Sequence, residues 1–290
     1  MSGFAPDWLH TREPFDTAAR DNELARRFAI ALSDGRDTPR RIVDLAAGSG
    51  ASFRALAPLI GGDQDWLLID HDPLLIAVQA AEIARWSMAH GWQCEEFSRG
   101  VWVRTGSAVW RARSEMIDLS DGLENVRFAA CHGVTLSAFL DLVSVAWLER
   151  LCAVLARSSL PLLATLTVDG RRVWRPALPA DAHIERAFRH HQSRDKGFGP
   201  AQGALAAHDF GDRLAAAGYE VRTARSDWRV GPEHREMLSH MVEESAAVAR
   251  ETDPDSAEVY GAWLAERRAQ VGSGQLSLEI GHLDLLAIAH

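Results

Sequence analysis

The stretch "RRIVDLAAGSG", residues 40–50, constrains the fold of this chain more than any other segment. A short run of strand-forming residues, Ile42–Leu45, carries Asp44 at its end and gives way to small residues closing on Gly48, Ser49 and Gly50. A strand that stops in small residues and passes straight into a helix leaves bare backbone at the carboxyl edge of a sheet. Glycine there permits tight turning and close approach of a ligand.

The remainder continues the strand–helix alternation. Leu24, Phe28 and Leu32, four apart, predict an amphipathic helix over 14–33. Phe53–Leu59 reads as a helix ended by Gly61-Gly62, and "WLLID" (66–70) as a second strand, apolar enough to be covered on both faces. Asp72-Pro73 reads as an N-cap with proline in the first turn of a helix reaching about Ala89. Residues 92–117 alternate around Thr105-Gly106-Ser107, a hairpin leading into a strand that ends at Asp118. "VRFAACHGVTLS" holds the fourth strand, "DLVSVAWLERLCAVLA" a helix, and "PLLATLTV" a fifth strand stopped by Asp169-Gly170. After a polar interruption come a helix over about 201–217, the strand "YEVRTARSDW", helices near 233–250 and 255–270, and the closing strand "LSLEIGHLDLLAIA". The pattern predicts one α/β domain over 1–290: a Rossmann-like, seven-stranded, mostly parallel sheet with helices on both faces. Its expected additions are an N-terminal helical lid (1–38), the hairpin insertion (92–117) and a helical cap from 175–200 and 232–270.

Composition removes several function classes. A net charge of −9 opposes a broad phosphate-binding surface, so nucleic acid is not the expected partner. Cys94, Cys131 and Cys152 are far apart and form no metal or disulfide pattern. The most apolar stretch, from Ser137 to Ala156, carries Asp141, Glu149 and Arg150 and is no membrane span. The opening "MSGFAPDWLHTREPFD" lacks the basic-then-apolar pattern of a secretion signal, so a cytoplasmic protein is expected.

Two spacings narrow the ligand. Asp70 closes the second strand, where a carboxylate accepts hydrogen bonds from ribose hydroxyls, and Asp118 closes the third, within reach of an adenine amino group. A dinucleotide fingerprint wants a third glycine where "GSGASF" has Phe53, and there is no G-x-x-x-x-G-K-[ST] for a triphosphate. In "VDLAAGSG", "LLIDHDPLLIAVQ" and "MIDL" the chain resembles the class I S-adenosylmethionine-dependent methyltransferases, and "HQSRDKGFGP" is similar to a bacterial branch of them. The match is good over about 40–170 and departs at Ala46, where the family often has glycine. The resemblance implies methyl transfer from S-adenosylmethionine to a small molecule. It puts Ala46, Gly48 and Gly50 under the methionine part, Asp70 at the ribose, Asp118 and Leu119 at the adenine, and Ser137 or Ala138 near the sulfonium, with Asp44, Ser49 and His71 also at the cofactor. The alternatives are an NAD(P)-binding oxidoreductase and a cofactor-binding regulatory protein without turnover.

The acceptor is read from what caps the sheet. The fourth strand lacks the Asn/Asp-Pro-Pro-aromatic motif of nucleic-acid amino methylation, and no Pro-Cys is present for cytosine C5. A pocket is expected above the fourth and fifth strand ends, roofed by 181–200 and the N-terminal helix. "AFRHHQSRDKGFGP" gathers His190, His191, Gln192, Arg194 and Lys196, with His191 as base beside Lys196; adjacent histidines point apart on a helix, so no metal is expected. The cationic groups suit an anionic acceptor. Arg12, Asp16 and Arg20, four apart, form either a pocket-facing helical face or an exposed ion-pair ladder. Asp141 is a further substrate-site candidate. Trp147, Trp174 and Trp228 either stack a planar substrate or fill the core. His282 and Asp284, on one face of the last strand, are expected to satisfy each other.

Overall fold

The computed structural model describes residues 6–32 and 39–290. Residues 1–5 and 33–38 of the expected N-terminal lid lie outside them. The chain opens with α1 (Pro6–Ala19) and α2 (Asn22–Ala31), where a single helix over 14–33 was expected. The break is local chemistry: Asp21 leaves helical geometry and its Oδ1 accepts the Leu24 N–H at 2.7 Å, capping α2. Then come β1 (Arg40–Leu45), α3 (Ala51–Ile60), β2 (Gln64–Asp70) and α4 (Pro73–Ala89), the last capped by Asp72 with Pro73 in its first turn.

The hairpin region is a three-strand meander, β3 (Gln93–Phe97), β4 (Gly100–Arg104) and β5 (Val109–Met116). β6 (Gly133–Ser137), α5 (Val145–Ser158) and β7 (Leu162–Arg175) follow, then α6 (Asp181–Gln192), α7 (Ala206–Ala216), β8 (Tyr219–Arg225) and β9 (Trp228–Val230). The chain closes through α8 (Arg235–Thr252), α9 (Ala257–Ser273) and β10 (Ser277–Ala289).

The sheet order is β3-β4-β5-β2-β1-β6-β7-β10-β8, with β9 on β10, so ten strands stand among the described residues where seven and a hairpin were expected. β5, β2, β1, β6 and β7 are parallel, and β10 runs antiparallel between β7 and β8. Two strand boundaries differ from expectation. β7 does not stop at Asp169-Gly170 but continues to Arg175, because β10 bulges between Ile280 and His282 and keeps pairing beyond it. "YEVRTARSDW" is two strands, since Ser226-Asp227 turns the chain and β9 pairs with the start of β10.

One apolar layer, including Leu45, Leu136, Trp147 and Phe210, lies on one face of the sheet, and another, including Phe28, Phe53, Trp66 and Ile83, on the other. A third cluster joins Trp174, Trp228, Met241 and Trp263 from β7, β9, α8 and α9, with Trp8 and Phe15 of α1 packed against it. No helix among the described residues is long and apolar enough to cross a membrane.

Candidate functional site

Strand order reverses at β1: its chain successor β2 lies on one side and β6 on the other. Connections leave to opposite sides there, and the crevice outside the carboxyl ends of the strands stays open to a ligand. The glycine turn occupies that point. Gly48 and Gly50 adopt φ of +55° and +83°, and Ala46 joins them at +53°, a region that costs a residue with a Cβ on the order of 1 kcal/mol.

Side chains from three helices and β2 hold this turn. Asp70 Oδ2 accepts the Gly48 N–H at 2.8 Å, and its Oδ1 accepts the N–H groups of His71 and Asp72 at 2.8 and 3.0 Å. Gln79 of α4 donates to the Gly48 carbonyl at 2.8 Å. Arg54 of α3 donates to the Ser49 carbonyl at 2.7 Å and pairs with Glu13 of α1 at 2.6 Å. Leu9 of α1 lies against Gly48, where an added Cβ would meet its Cδ1 at 3.3 Å. Gln79, Glu13 and Leu9 escaped the sequence reading because each lies far in sequence from the residues it holds; Arg54, five residues from Ser49, carried no pattern that marked it.

Beneath the turn, Asp44 is fully buried; its Oδ1 accepts the Thr135 hydroxyl at 2.8 Å and its Oδ2 has no partner among the described residues. Burial pushes its pKa up to about 7 against the opposing pull of Thr135 and Arg20. Arg20 donates to Ser137 Oγ at 3.1 Å, tying α1 to the end of β6. Asp118 is exposed, its carboxyl held below the ordinary range first by hydrogen bonding from Ser120. His71 is exposed, with Nδ1 3.5 Å from Asp70 Oδ1. Leu119 is buried, and its carbonyl accepts the Trp147 indole N–H at 2.7 Å.

A separate cavity of about 140 Å³ lies beside the end of β6 and the middle of β7. Trp8 and Arg12 of α1, Ala138 and Asp141 after β6, Leu166 and Arg172 of β7, Phe188 and Gln192 of α6, and Trp228 and His282 line it. Arg12, Asp141 and Gln192 thus meet there. Arg12 pairs with Asp16 at 3.0 Å and lies 4.9 Å above the Trp228 ring, while Asp16 is buried and also accepts the Trp228 indole N–H at 3.0 Å. The spaced charges on α1 are therefore no exposed ladder: Asp16 and Arg20 are buried and Arg20 turns away to the sheet.

Other candidates fall elsewhere. Trp147 is 1 % exposed within the core under Leu119, and Trp174 is buried among α9 residues, its ring 5.3 Å from that of Trp263. His190 is exposed at the end of α6. His191, Arg194 and Lys196 gather around Glu251 at the end of α8, and none of them lines the cavity. The cause is helical phase: Glu185, Phe188, Arg189 and Gln192, spaced i, i+3, i+4, i+7, form the face of α6 that meets the cavity. Burial and then neighbouring cations, Lys196 and Arg194 respectively, lower the pKa of His191 and of Lys196. The expected His282–Asp284 pair does not form. The Asp284 carboxylate accepts the backbone N–H groups of Asp21 and Leu166 at 2.8 Å each, and His282 Nδ1 has no partner among the described residues.

No family model and no curated protein matches this sequence. Among solved structures, it is similar to a SAM-dependent methyltransferase from Thiobacillus denitrificans in complex with S-adenosyl-L-homocysteine, at 15 % identity over 99 % of each chain and a TM-score of 0.44. A SAM-dependent methyltransferase from Geobacter sulfurreducens with the same ligand matches at 16 % identity, also over 99 % of each chain, with a TM-score of 0.43. Geranyl diphosphate methyltransferase in complex with SAM matches at 11 % identity over 99 % of this chain and 93 % of its own, with a TM-score of 0.44.

Proposed function

We propose that this protein is an enzyme that transfers a methyl group from S-adenosylmethionine to a small-molecule acceptor. The observation that carries the reading is the pairing of a strained glycine turn at the reversal of strand order with carboxylates at the ends of β1, β2 and β5. A second compartment at the end of β6 and the middle of β7 offers the acceptor a place of its own.

The residues fit this cofactor. Asp70 is fixed by three backbone N–H groups, and a carboxylate has about four lone-pair positions, which leaves capacity for a ribose hydroxyl. Buried polar atoms without partners among the described residues, Asp44 Oδ2 and Gln79 Oε1, belong to side chains at the turn, and Arg20 Nη1 is a third beside the end of β6. The dinucleotide alternative fits less well, because Phe53 at the third-glycine position is fully buried against Trp66 and Trp110. When bound, S-adenosylmethionine supplies an electrophilic methyl on a sulfonium. The protein then has to align the acceptor with it and exclude water, which α1 does by lying over the turn through Leu9 and the Glu13–Arg54 pair.

Titration calorimetry with S-adenosylhomocysteine tests the reading. Binding is expected, with no thermal stabilisation by NADH. Asp70→Asn should weaken binding at least about ten-fold, the loss of about 1.4 kcal/mol from a charge-assisted hydrogen bond. No heat and no shift in melting temperature at millimolar ligand would refute the cofactor assignment.

A further inference from the structure

The cavity beside β6 and β7 concentrates features that cost stability. His282 is 3 % exposed and Asp141 7 %, and His282 Nδ1 and Asp141 Oδ1 lack partners among the described residues. Arg172, with its side chain 6 % exposed, donates one hydrogen bond to Ser245 Oγ at 2.7 Å and leaves Nε and Nη1 without an acceptor. Two further lining residues, Ala138 and Leu166, hold left-handed backbone at φ of +50° and +58° although neither is glycine. Unsatisfied buried groups and non-glycine strain are rare in native folds, and their gathering on one wall calls for a ligand that makes use of them.

The lining indicates the ligand's chemistry. The Arg172 guanidinium is held in place, 4.0 Å above the Phe188 ring and tethered to Ser245. The carboxylate paired with it, Glu185, approaches no closer than 3.8 Å and is engaged through its other oxygen by the Trp174 indole N–H. A fixed cation with free donors suits a carboxylate. The aromatic walls Trp8, Phe188 and Trp228 suit a flat ring. Around His282 stand Arg12 and Asp16 from α1, Asp169 and Arg171 from β7, and Asp227, which accepts the His282 backbone N–H at 3.2 Å. Burial, reinforced by Arg12 and opposed by Asp16, Asp169 and a hydrogen bond to the Ile280 carbonyl, pushes the imidazole's pKa down to about 4, so the ring is neutral before the acceptor enters.

We propose that this cavity is the acceptor site and takes a small aromatic hydroxycarboxylate, with Arg172 as counter-ion to the carboxylate and His282 as receiver of the hydroxyl proton. This assignment rests on the methyl-transfer reading above. A lone pair of the hydroxyl oxygen forms the O–CH3 bond while the S–CH3 bond breaks and leaves its electron pair on sulfur. The hydroxyl proton passes to the imidazole and from there to solvent, so that an aryl methyl ether, a neutral thioether and one proton result. The carboxylate has a second effect: its negative charge in the cavity raises the proton affinity of the imidazole only while the acceptor is bound.

Calorimetry on the full chain tests this, with 4-hydroxybenzoate and its uncharged counterpart 4-hydroxybenzamide as probes, each with and without S-adenosylhomocysteine. The carboxylate is expected to bind at least ten-fold more tightly than the amide. Arg172→Gln should abolish that preference and Arg172→Lys should keep part of it. Titrations near pH 5 in two buffers of different ionisation heat should reveal proton uptake on carboxylate binding that His282→Gln loses while still binding the probe. Equal affinity for the two probes, unchanged proton uptake in His282→Gln, or no binding of the carboxylate at millimolar concentration overturns the proposal. Carboxylate binding without S-adenosylhomocysteine binding would instead overturn the methyl-transfer reading and leave the anion site standing.

Discussion

The substitution Asp44→Asn should stabilise the protein, and by an amount that grows with pH. In the folded state this carboxyl is fully buried and its pKa rises from 3.8 to about 7, principally through burial. A carboxyl whose folded pKa is raised binds its proton more tightly in the native state than in the unfolded chain. Its contribution to stability is intact below pH 3.8 and is lost progressively as pH rises to about 7, beyond which the cost is constant. At 1.36 kcal/mol per pH unit, the interval from 3.8 to about 7 corresponds to about 4 kcal/mol, an upper figure because a charged site relaxes and admits water. An asparagine side chain carries no titrating proton, so the variant escapes this loss. Its remaining oxygen can still accept the Thr135 hydroxyl that Asp44 accepts at 2.8 Å, and whatever its NH2 group costs in place of the second oxygen does not depend on pH. The buried His282 and Asp141 remain in both proteins, so their own titrations largely cancel in the difference. Urea unfolding of both proteins at pH 5, 6, 7 and 8 should show the stability gap widening by about 2–3 kcal/mol across the series. Parallel stability curves would show that Asp44 is not held protonated and that the ground beneath the glycine turn is better solvated than its burial implies.

Trp147→Ala should cost about 3–5 kcal/mol and lower the melting temperature sharply, as expected for a core indole that also loses its bond to the Leu119 carbonyl. If the variant keeps its stability and instead loses acceptor affinity, the residue faces substrate after all. His191→Ala and Lys196→Ala, both outside the cavity lining, should leave S-adenosylhomocysteine binding and methyl transfer near the wild-type level in a radiolabelled-methyl assay. A ten-fold fall in turnover for either would bring the 191–196 loop back to the chemistry.

What the sequence determined by itself is what short-range chemistry encodes. Asp44, Gly48 and Gly50 announced a strand, a turn and a helix, because backbone conformation there depends on residues a few positions apart. Asp72-Pro73 marked the start of α4 for the same reason, and Asp70 was legible as the end of an apolar run. The polar interruption before residue 200 contains α6, whose phase is set by a stripe including Ile184 and Phe188 rather than by the denser cluster of charges at 190–196. Tertiary structure alone decided the rest. The bulges of β10 separate His282 from Asp284, and a two-residue spacing on a strand carries no sign of a bulge set by its neighbours. Arg172 faces a cavity because β7 continues past Gly170, a continuation made possible by a partner strand more than a hundred residues later. Leu9, Glu13 and Gln79 converge on a turn that Arg54 holds from the helix directly after it, and no local signal records that meeting, since only the packing of α1 and α4 on the sheet brings those three within reach.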